Sequence, residues 1–466
     1  MIDIAPIIRV DTDEEGRPSP EGIRRAYRQW RGYQTRYAML RDYYVGRHAI
    51  EGKKDGAKIC ANVCKYVADT ITGYMTGNPI VYSYDEEDTD ADAICSLLRR
   101  QDSTQSDAEV IKVMSIYGRA LRLVYHADDN DLTPKSTVFT PMEAFVAYTG
   151  TVEPDSVFGA VVYEQVEDDN SRTYLMDLYG RKDVQRWISR SPEGSWQPLG
   201  EPKLHRFGRV PLIEYKNDLD YISDIEGIIS LQDAYNSILS DRQDDKDSFA
   251  DAMLVLSGFA LGVDADEVNE GKATLKKQRV LQLSDGNQSA QWLTKTLNEA
   301  DVQVLADALV NDMHKFARVP NLSDEQFASN ASGVAMQFKL FGTDILAGNK
   351  MRNFQKGQSR LFKLYDAALH NVTASENYKT DISDRIHCVF RFSIPTDLNY
   401  EAQSLATYKS AGIVSDETLM EHCSLVDNID IEKERLREQN NAQMDREKSL
   451  YADEFAVMTG TDDDEQ

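Results

Sequence analysis

Two Gly-Lys pairs are the first residues to test for chemistry, because a lysine after a glycine-rich turn can hold nucleotide phosphates. They are Gly52-Lys53 and Gly271-Lys272. Neither pair is followed by the Ser or Thr that would bind Mg²⁺, and neither is preceded by the glycine that begins such a loop. We therefore expect no ATP site in this chain.

Cys60 and Cys64 are four residues apart, a spacing that would place both side chains on one helix face. A structural zinc site needs four ligands, and no second pair accompanies these two. Buried structural thiols are the better interpretation, with a metal or redox role as the alternative. The seven histidines are scattered, and no Ser, Cys or Thr has the context of a nucleophile. We expect no catalytic residue, no metal and no cofactor.

Asp88, Asp90 and Asp92 resemble the start of a calcium-binding loop. Such a loop needs a glycine at its sixth position and a bidentate glutamate at its twelfth. Ala93 and Arg99 occupy those positions here. A solvated acidic turn is therefore favoured over a calcium site.

Overall charge limits what the chain binds. It has 466 residues, 52 of them basic and 78 acidic, for a net charge of −26. A protein that grips nucleic acid tightly over its whole surface needs basic residues to neutralise phosphates, so that class is disfavoured. A protein that DNA slides past is not excluded. The length predicts two or three domains, or one elongated subunit.

Cysteine usage and hydropathy indicate a protein made and kept in a reducing cytoplasm, or in something assembled there. Five cysteines in so long a chain do not suggest a disulfide framework. Residues 1–10 lack the basic start and long apolar run of a signal peptide. No segment reaches the roughly 18 apolar residues of a membrane span.

Four cations, here called the basic stripe, are the most unusual arrangement in the sequence. Arg352, Lys356, Arg360 and Lys363 recur at intervals of four, four and three residues, which places them along one side of a helix. Residues 330–370 contain six basic and only two acidic residues. A basic helix in an acidic chain suggests a partner, either phosphates or an acidic neighbouring subunit. A merely solvated helix face is the alternative.

Aromatic residues recur in the first predicted helix. Tyr27, Trp30, Tyr33 and Tyr37 share one stripe, and arginines occupy the other faces. Nucleic-acid binding is conceivable for such a mixture. Packing into the core is the favoured interpretation.

Periodicity and turn residues predict the elements that position these side chains. Helices are expected over residues 21–44 and 61–75, and β-branched and aromatic residues predict strands that would form an antiparallel sheet. The predicted strands cover residues 119–126, 137–148, 158–166 and 172–178.

The second half is predicted to be mainly helical. A capping box at Ser223 starts a helix to about residue 253, roughly 45 Å long at 1.5 Å per residue. Short strands and turns follow over residues 254–293, and a second capped helix runs from Thr296 to Pro320. A polar turn then leads to a helix over residues 332–369, interrupted by Gly342, Gly348 and Gly357 as bend points. A strand over residues 385–394, shorter helices and an acidic tail complete the prediction.

Several landmarks, in this order, resemble the portal proteins of tailed bacteriophages, of the type found in long-tailed phages of Gram-positive hosts. The resemblance covers roughly residues 35–435, and its most specific part is Val319-Pro320-Asn321-Leu322-Ser323 followed by residues 332–340. The other landmarks are residues 43–48, 58–62, 69–79, 116–120, 207–211, 234–241, 393–397 and 412–418. No motif among them is catalytic, so the specificity lies in their number and order.

The resemblance implies an α+β fold, an elongated subunit with an α/β wing, a two-helix stem, a small β-containing clip, a long bent helix and a helical crown. The implied divisions are 1–220 wing, 221–253 first stem helix, 254–293 clip, 294–319 second stem helix, 320–331 tunnel loop, 332–396 long bent helix with the return to the wing, and 397–466 crown with the acidic tail.

The resemblance also implies partners and a location. Members form rings, usually of twelve subunits, at one capsid vertex of the virion. Double-stranded DNA passes through without sequence specificity, and the terminase large subunit, a head–tail adaptor, and the major capsid and scaffolding proteins bind outside. No membrane is involved, and assembly takes place in the host bacterial cytoplasm. A head-completion adaptor, or a portal-like frame fused to an enzyme, is the rival interpretation; the stem–clip–stem pattern and the short segment 436–466 disfavour these.

Three sets of site residues are implied. The tunnel loop would touch DNA through small or polar side chains, with a simple helix connection as the alternative. The clip would bind the terminase and later the adaptor, with plain solvation as the alternative. The basic stripe would meet a neighbouring subunit or DNA. The loop residues are Asp324, Glu325, Gln326, Phe327, Ser329 and Asn330, and the clip residues are Lys272, Lys276, Lys277 and Arg279.

Overall fold

The structure, a computed structural model, describes most of the chain in two compact units. Residues 1–322 and 339–393 form the first unit, and residues 323–338 and 394–466 form the second. The described residues are 7–13, 16–85, 87–128, 131–166, 171–193, 196–250, 253–257, 289–293, 299–322, 333–370, 380–393, 398–423, 425–426, 429, 432–444 and 446.

The first predicted helix is two helices. After strand β1 (Ile8–Val10), helix α1 spans Pro20–Gly32 and helix α2 spans Gln34–Val45. Ser19 caps α1 by accepting a hydrogen bond from the backbone N–H of Gly22, as Ser-Pro at a helix start predicts. Gly32 has low helix propensity, and the chain turns just after it at Tyr33.

The acidic turn at residues 88–92 is the start of a helix that the sequence analysis missed. Helix α3 (Val63–Thr76) is followed by strand β2 (Val81–Ser83), helix α4 (Thr89–Arg100) and helix α5 (Ser103–Tyr117). The Asp88 carboxylate accepts hydrogen bonds from the backbone N–H groups of Asp90 and Ala91. Carboxylates in the first turn also interact favourably with the helix dipole, so these aspartates have a local structural role.

Two antiparallel arrays dominate the first unit, in agreement with the predicted α+β class. The larger has the order β1-β5-β6-β7-β8-β9, in which β1 pairs with β5 in parallel and all other pairs are antiparallel. The smaller has the order β10-β3-β4. These strands are β3 Arg119–Asp128, β4 Asp131–Phe139, β5 Ala144–Thr149, β6 Ser156–Val166, β7 Arg172–Tyr179, β8 Asp183–Ser189, β9 Gln197–Leu204 and β10 Leu212–Lys216. The single strand predicted over residues 137–148 is thus the end of β4, a turn and the start of β5.

Three helices form the second half of this unit. After a short 3₁₀ turn at Glu226–Ile228, helix α6 spans Ile229–Ala250, helix α7 spans Glu299–Ala317 and helix α8 spans Gly333–Leu369. Helix α6 is shorter than predicted at both ends: it begins at Ile229 rather than at Ser223, and strand β11 (Met253–Ser257) begins where the helix was expected to end. Strand β11 pairs with strand β12 (Ser289–Leu293), as expected of the short strands in that segment. No helix in the described residues is long and apolar enough to cross a membrane.

Helix α8 runs without a break past all three of its predicted bend points. At Gly357, a Cβ would lie 2.2 Å from Cε1 of the buried Tyr215 ring. Gly357 therefore allows the close approach of helix and strand rather than interrupting the helix. After α8, helix α9 spans Ile382–Arg385 and strand β13 (His387–Val389) pairs with β2. The predicted strand 385–394 is therefore reduced to residues 387–389.

Four clusters of buried residues hold the first unit together. The first joins α4, α5, β10 and α8, the second joins α1 to the larger sheet, the third joins α2, α3, the start of α6 and α7, and the fourth packs β3 and β10 against β5 and β6. Tyr27 and Trp30 are buried in the second cluster and Tyr37 in the third. Core packing of the aromatic stripe is therefore confirmed, although the stripe is divided between two clusters.

The second unit contains helix α10 (Leu398–Ala411) and helix α11 (Asp416–Glu421). Ser415 caps α11 by accepting a hydrogen bond from the backbone N–H of Thr418. An ion pair of 3.1 Å joins Lys409 and Asp416, so the turn between the helices is fixed at both ends. The shorter helices predicted for this part of the chain are present.

Candidate functional site

One of the three predicted sets of site residues lies in the part of the chain that the structure describes. The tunnel-loop residues 324–330 and the clip residues 272–279 fall outside the described residues. The basic stripe lies on α8, where Arg352, Lys356 and Arg360 are exposed and Lys363 is half-buried. The site is therefore built here from α8 and the elements that hold it.

The buried face of α8 contains a paired charge. Lys350 is fully buried, and its Nζ lies 2.6 Å from Oδ2 of Asp224 and also donates to Asn217. Ser115 and Asn217 donate hydrogen bonds to the same carboxylate. Burial lowers the pKa of the Lys350 ammonium, and Asp224 opposes that shift. This lysine, counted among the basic residues of the helix in sequence, is therefore committed to the core.

A second buried pair fixes α8 to the strands. Arg122 and Asp107 lie 2.8 Å apart with side chains almost wholly buried. Gln358 of α8 donates its Nε2–H to Asp107 at 2.8 Å, and the Tyr82 hydroxyl donates to the same carboxylate. Burial raises the pKa of the Asp107 carboxyl, and the Arg122 guanidinium opposes that shift. Helix α5, strands β2 and β3 and helix α8 thus meet at one carboxylate.

A third buried charge lies beside the basic stripe. The Glu214 carboxylate lies 2.9 Å from Arg119 and accepts hydrogen bonds from the Tyr148 and Tyr221 hydroxyls at 3.0 Å and 3.2 Å. The Arg119 guanidinium also lies 3.9 Å from the centre of the Tyr221 ring. Both oxygens of this buried carboxylate therefore have hydrogen-bond partners within the subunit.

The exposed face of α8 is different. Among the described residues, no carboxylate forms an ion pair with any member of the basic stripe. Lys216, at the end of β10, lies next to the stripe. Burial lowers the pKa of the Lys216 ammonium, Glu214 opposes this, and Arg119, Arg360 and Lys356 lower it further. Lys216 and the basic stripe therefore form a patch of like charge, for which the described part of the subunit provides no ion pair.

Helix α6 holds an extended segment through a ladder of side chains that the sequence analysis missed. Residues 57–63, here called the strap, lie antiparallel to the helix. Every second backbone N–H of the strap donates to a helix side chain, and each successive partner lies one turn nearer the start of the helix. The pairs are Ala57 with Asp244 at 2.6 Å, Ile59 with Ser240 at 3.0 Å, Ala61 with Asn236 at 3.0 Å and Val63 with Gln232 at 2.9 Å.

The spacing of the ladder has a simple origin. Four helical residues advance about 6 Å and two extended residues advance by nearly the same distance. Gln232, Asn236 and Ser240 are fully buried, so their amide and hydroxyl groups need these partners. Buried polar residues at every fourth position of α6 were the available signal. Cys60, in the strap, is exposed, whereas Cys64 is buried in α3, so the expected pair of buried thiols is half wrong.

Helices α6 and α7 face each other through polar contacts. Arg242 donates to Gln303 at 2.8 Å and lies 3.4 Å from Glu299, while Lys246 lies 3.6 Å from the same carboxylate. The outer face of α7 exposes Val304 and Leu305, which are 69% and 52% accessible. Exposed apolar residues close together on one helix face suggest an interaction surface.

No group of three or more His, Cys, Asp or Glu side chains within the described ranges is arranged to hold a metal ion. The pairs found around α8 serve packing and rigidity. The surface chemistry that remains in the described ranges is cationic on α8 and partly apolar on α7.

Comparison with known proteins gives the family. The sequence profile of the family described as "Phage portal protein, SPP1 Gp6-like" matches residues 27–446. A portal protein of Bacillus phage SPP1 is 23% identical over 96% of this chain and 88% of its own length. A portal protein of Clostridium phage phiCD119 is 22% identical over 53% of this chain, which spans about half (52%) of that relative. The chain therefore belongs to the SPP1 Gp6-like family of phage portal proteins.

Proposed function

We propose that the chain works as one subunit of a ring, of twelve copies in the virion, through which double-stranded DNA enters and leaves the capsid. Family membership supports a homo-oligomeric ring that meets capsid, DNA and the packaging terminase. The proposed partners are the terminase large subunit, a head–tail adaptor, and the major capsid and scaffolding proteins. Assembly takes place in the host bacterial cytoplasm. A net charge of −26 per subunit supports low-friction passage, because like charges do not hold the duplex.

The proposed division of labour follows the sequence. Residues 1–220 form the wing, the helices within 221–253 and 294–319 form the stem, and residues 254–293 form the clip. Residues 320–331 form the tunnel loop, 332–396 the long helix with its return to the wing, and 397–466 the crown. The antiparallel strands within 1–220 and the pairing of α6 with α7 support this division.

Portal proteins are structural components, and we extend this to an absence of catalysis in this chain. Genome packaging then depends on ATP hydrolysis by a separate terminase. The missing phosphate loop in the sequence supports this proposal. Sustained ATP turnover by the purified protein, abolished by a point substitution in this chain, would overturn it.

The basic stripe supports a ring held by polar interfaces. These four cations have no ion pair in the described part of the subunit, and the chain as a whole is strongly negative. An acidic surface on a neighbouring subunit is therefore favoured over a merely solvated helix face. Arg352→Glu, Lys356→Glu and Arg360→Glu together should weaken assembly, which negative-stain imaging and sedimentation would measure. High salt should weaken the parent ring in the same assay, because salt screens exposed charges.

A matched control changes the same net charge elsewhere. Arg190→Glu, Lys203→Glu and Arg206→Glu lie at exposed positions around β8 and β9, and this variant should assemble as the parent does. Equal assembly by the stripe variant would remove the stripe from the interface. A parent protein that stays monomeric in every condition would refute the ring itself.

A further inference from the structure

Two faces of the first unit have opposite charge. Helices α6 and α7 together contain nine acidic and three basic residues. On α8 from residue 339 onward, the charged residues outside the core are five basic, Lys339 and the basic stripe, and one acidic, Asp344. A subunit with one basic and one acidic face can join the two across a contact between copies. It suits a head-to-tail contact, which closes into a ring when the rotation allows.

The same two faces also expose apolar side chains. On α7 the buried side is formed by Ala306, Met313 and Ala317, so Val304 lies on the opposite side and Leu305 on the flank next to it. On α8, Phe341 and Ile345 are 62% and 45% accessible. Because residues three, four and seven apart share a helix face, they fall in line with the basic stripe.

We infer that, in the proposed ring, the exposed face of α7 in one subunit packs against the exposed face of α8 in the next, with the two helices running in the same direction. Leu305 and Asp312 are seven residues apart, as are Ile345 and Arg352. Seven residues are about 10.5 Å along a helix. When Leu305 meets Ile345, Asp312 therefore lies opposite Arg352.

The chemistry on both sides of this pairing is complementary. Asp312 is partly exposed and forms no ion pair with the described residues, and Arg352 makes a hydrogen bond to Asn349 of its own helix only. DNA would explain the cations through its phosphates, but it would leave Phe341 and Ile345 in water. A second copy of this chain covers the apolar residues and the cations together.

A charge swap tests the pairing. Asp312→Arg alone and Arg352→Asp alone should each raise the protein concentration needed for half-assembly about tenfold or more, because like charges facing across an interface cost several kcal/mol. The two substitutions in one chain should restore assembly toward the parent level. Single variants that assemble normally, or a double variant that does not recover, would overturn the pairing.

A cysteine pair tests the contact without relying on charge. In a Cys60→Ser, Cys423→Ser background, Leu305→Cys with Ile345→Cys should give, after oxidation, a ladder of disulfide-linked oligomers on a denaturing gel. Within one subunit this bond cannot form. Thr343 donates to the Arg318 carbonyl at 2.9 Å, and Leu305 lies thirteen residues before Arg318, about 20 Å along α7, beyond disulfide reach.

The control combines Ile345→Cys with Leu199→Cys, an exposed residue on β9, and should give no ladder. Rings that form but yield no α7–α8 cross-link would overturn this contact and leave the ring proposal standing. Because the inference depends on that proposal, a parent protein without rings would instead refute the proposed function.

Discussion

Helix α8 has two faces that use the same residue types in opposite ways. On its buried face, Lys350 is paired with Asp224, and Gln358 with the Arg122–Asp107 pair. On its exposed face, the basic stripe has no carboxylate partner in the described part of the subunit. The buried charges specify how the helix sits against β10, β3 and α5. The exposed charges are left for another molecule, so composition alone does not separate folding residues from assembly residues.

The largest expected effect separates two lysines six positions apart. Lys350→Met should destabilise the subunit by about 3–5 kcal/mol, because removing one member of a buried pair leaves Asp224 buried and uncompensated. Lys356→Met should change it by less than about 0.5 kcal/mol, because the side chain is exposed. Urea unfolding of the dissociated subunit measures both. Similar losses in the two variants would end the distinction between the faces.

Two glycines test the faces without charge. Gly357→Ala should destabilise by about 1–3 kcal/mol, because the new Cβ must displace the buried Tyr215 ring. Gly348→Ala meets no atom within 4 Å and should stabilise the helix by up to about 1 kcal/mol. Thermal unfolding of the two variants should therefore shift in opposite directions. A destabilised Gly348→Ala variant would contradict the open surface there.

The ladder on α6 allows burial and charge to be compared separately, because its buried side chains are uncharged. Asn236→Ala should cost about 1–3 kcal/mol, because it leaves the Ala61 N–H and the His48 ring nitrogen without their partner. Lys53→Ala, which removes an ion pair at the open end of the ladder, should cost less. Denaturant unfolding would compare them. If the lysine variant lost more, charge rather than burial would decide the stability of the strap.

The smallest effect is a dependence on pH at the last rung. Hydrogen bonds from Lys53 and from the Ala57 N–H lower the pKa of the Asp244 carboxyl from its usual 3.8. A group with a lowered folded-state pKa stabilises the fold above its ordinary value, and this contribution is lost as the pH falls through the lowered value. The parent should therefore exceed Asp244→Asn in urea midpoint at pH 6, and the difference should shrink below pH 3.8. A constant difference would show that the ion pair is not responsible.

The sequence predicted elements whose cause is local. Ser19-Pro20 starts α1, the alternating strands of the middle third are present, and α8 ends where its periodicity ends. Helices α4 and α5 were missed: the aspartates at 88–92 were interpreted as a turn, although Asp88 caps a helix.

What depends on distant contacts could not be predicted. Gly357 is required by Tyr215, which lies 142 positions earlier in the sequence. Lys350 belongs to the core because Asp224 and Asn217 surround it, which a count of the basic residues on this helix could not show. The alignment of the basic stripe along one side of α8 needed only helical periodicity, and its role at an interface stays a prediction. The polar residues at every fourth position of α6 could be seen in the sequence. Their partners could not be predicted, because these are backbone N–H groups of the strap.

The strap and α6 match each other only over a limited length. Their repeat distances differ slightly, since four helical residues advance about 6.0 Å and two extended residues about 6.6 Å. The mismatch grows to about 2 Å over three intervals, more than the tolerance of a hydrogen bond. Side chains of different length, from Ser240 to Gln232, absorb it, and the ladder ends after four rungs, where α3 begins at Val63 and Gly56 turns away with φ +90°. A shift of the strap by one helical turn would place a side chain of a different length opposite each backbone N–H. Only one register therefore satisfies all four hydrogen bonds.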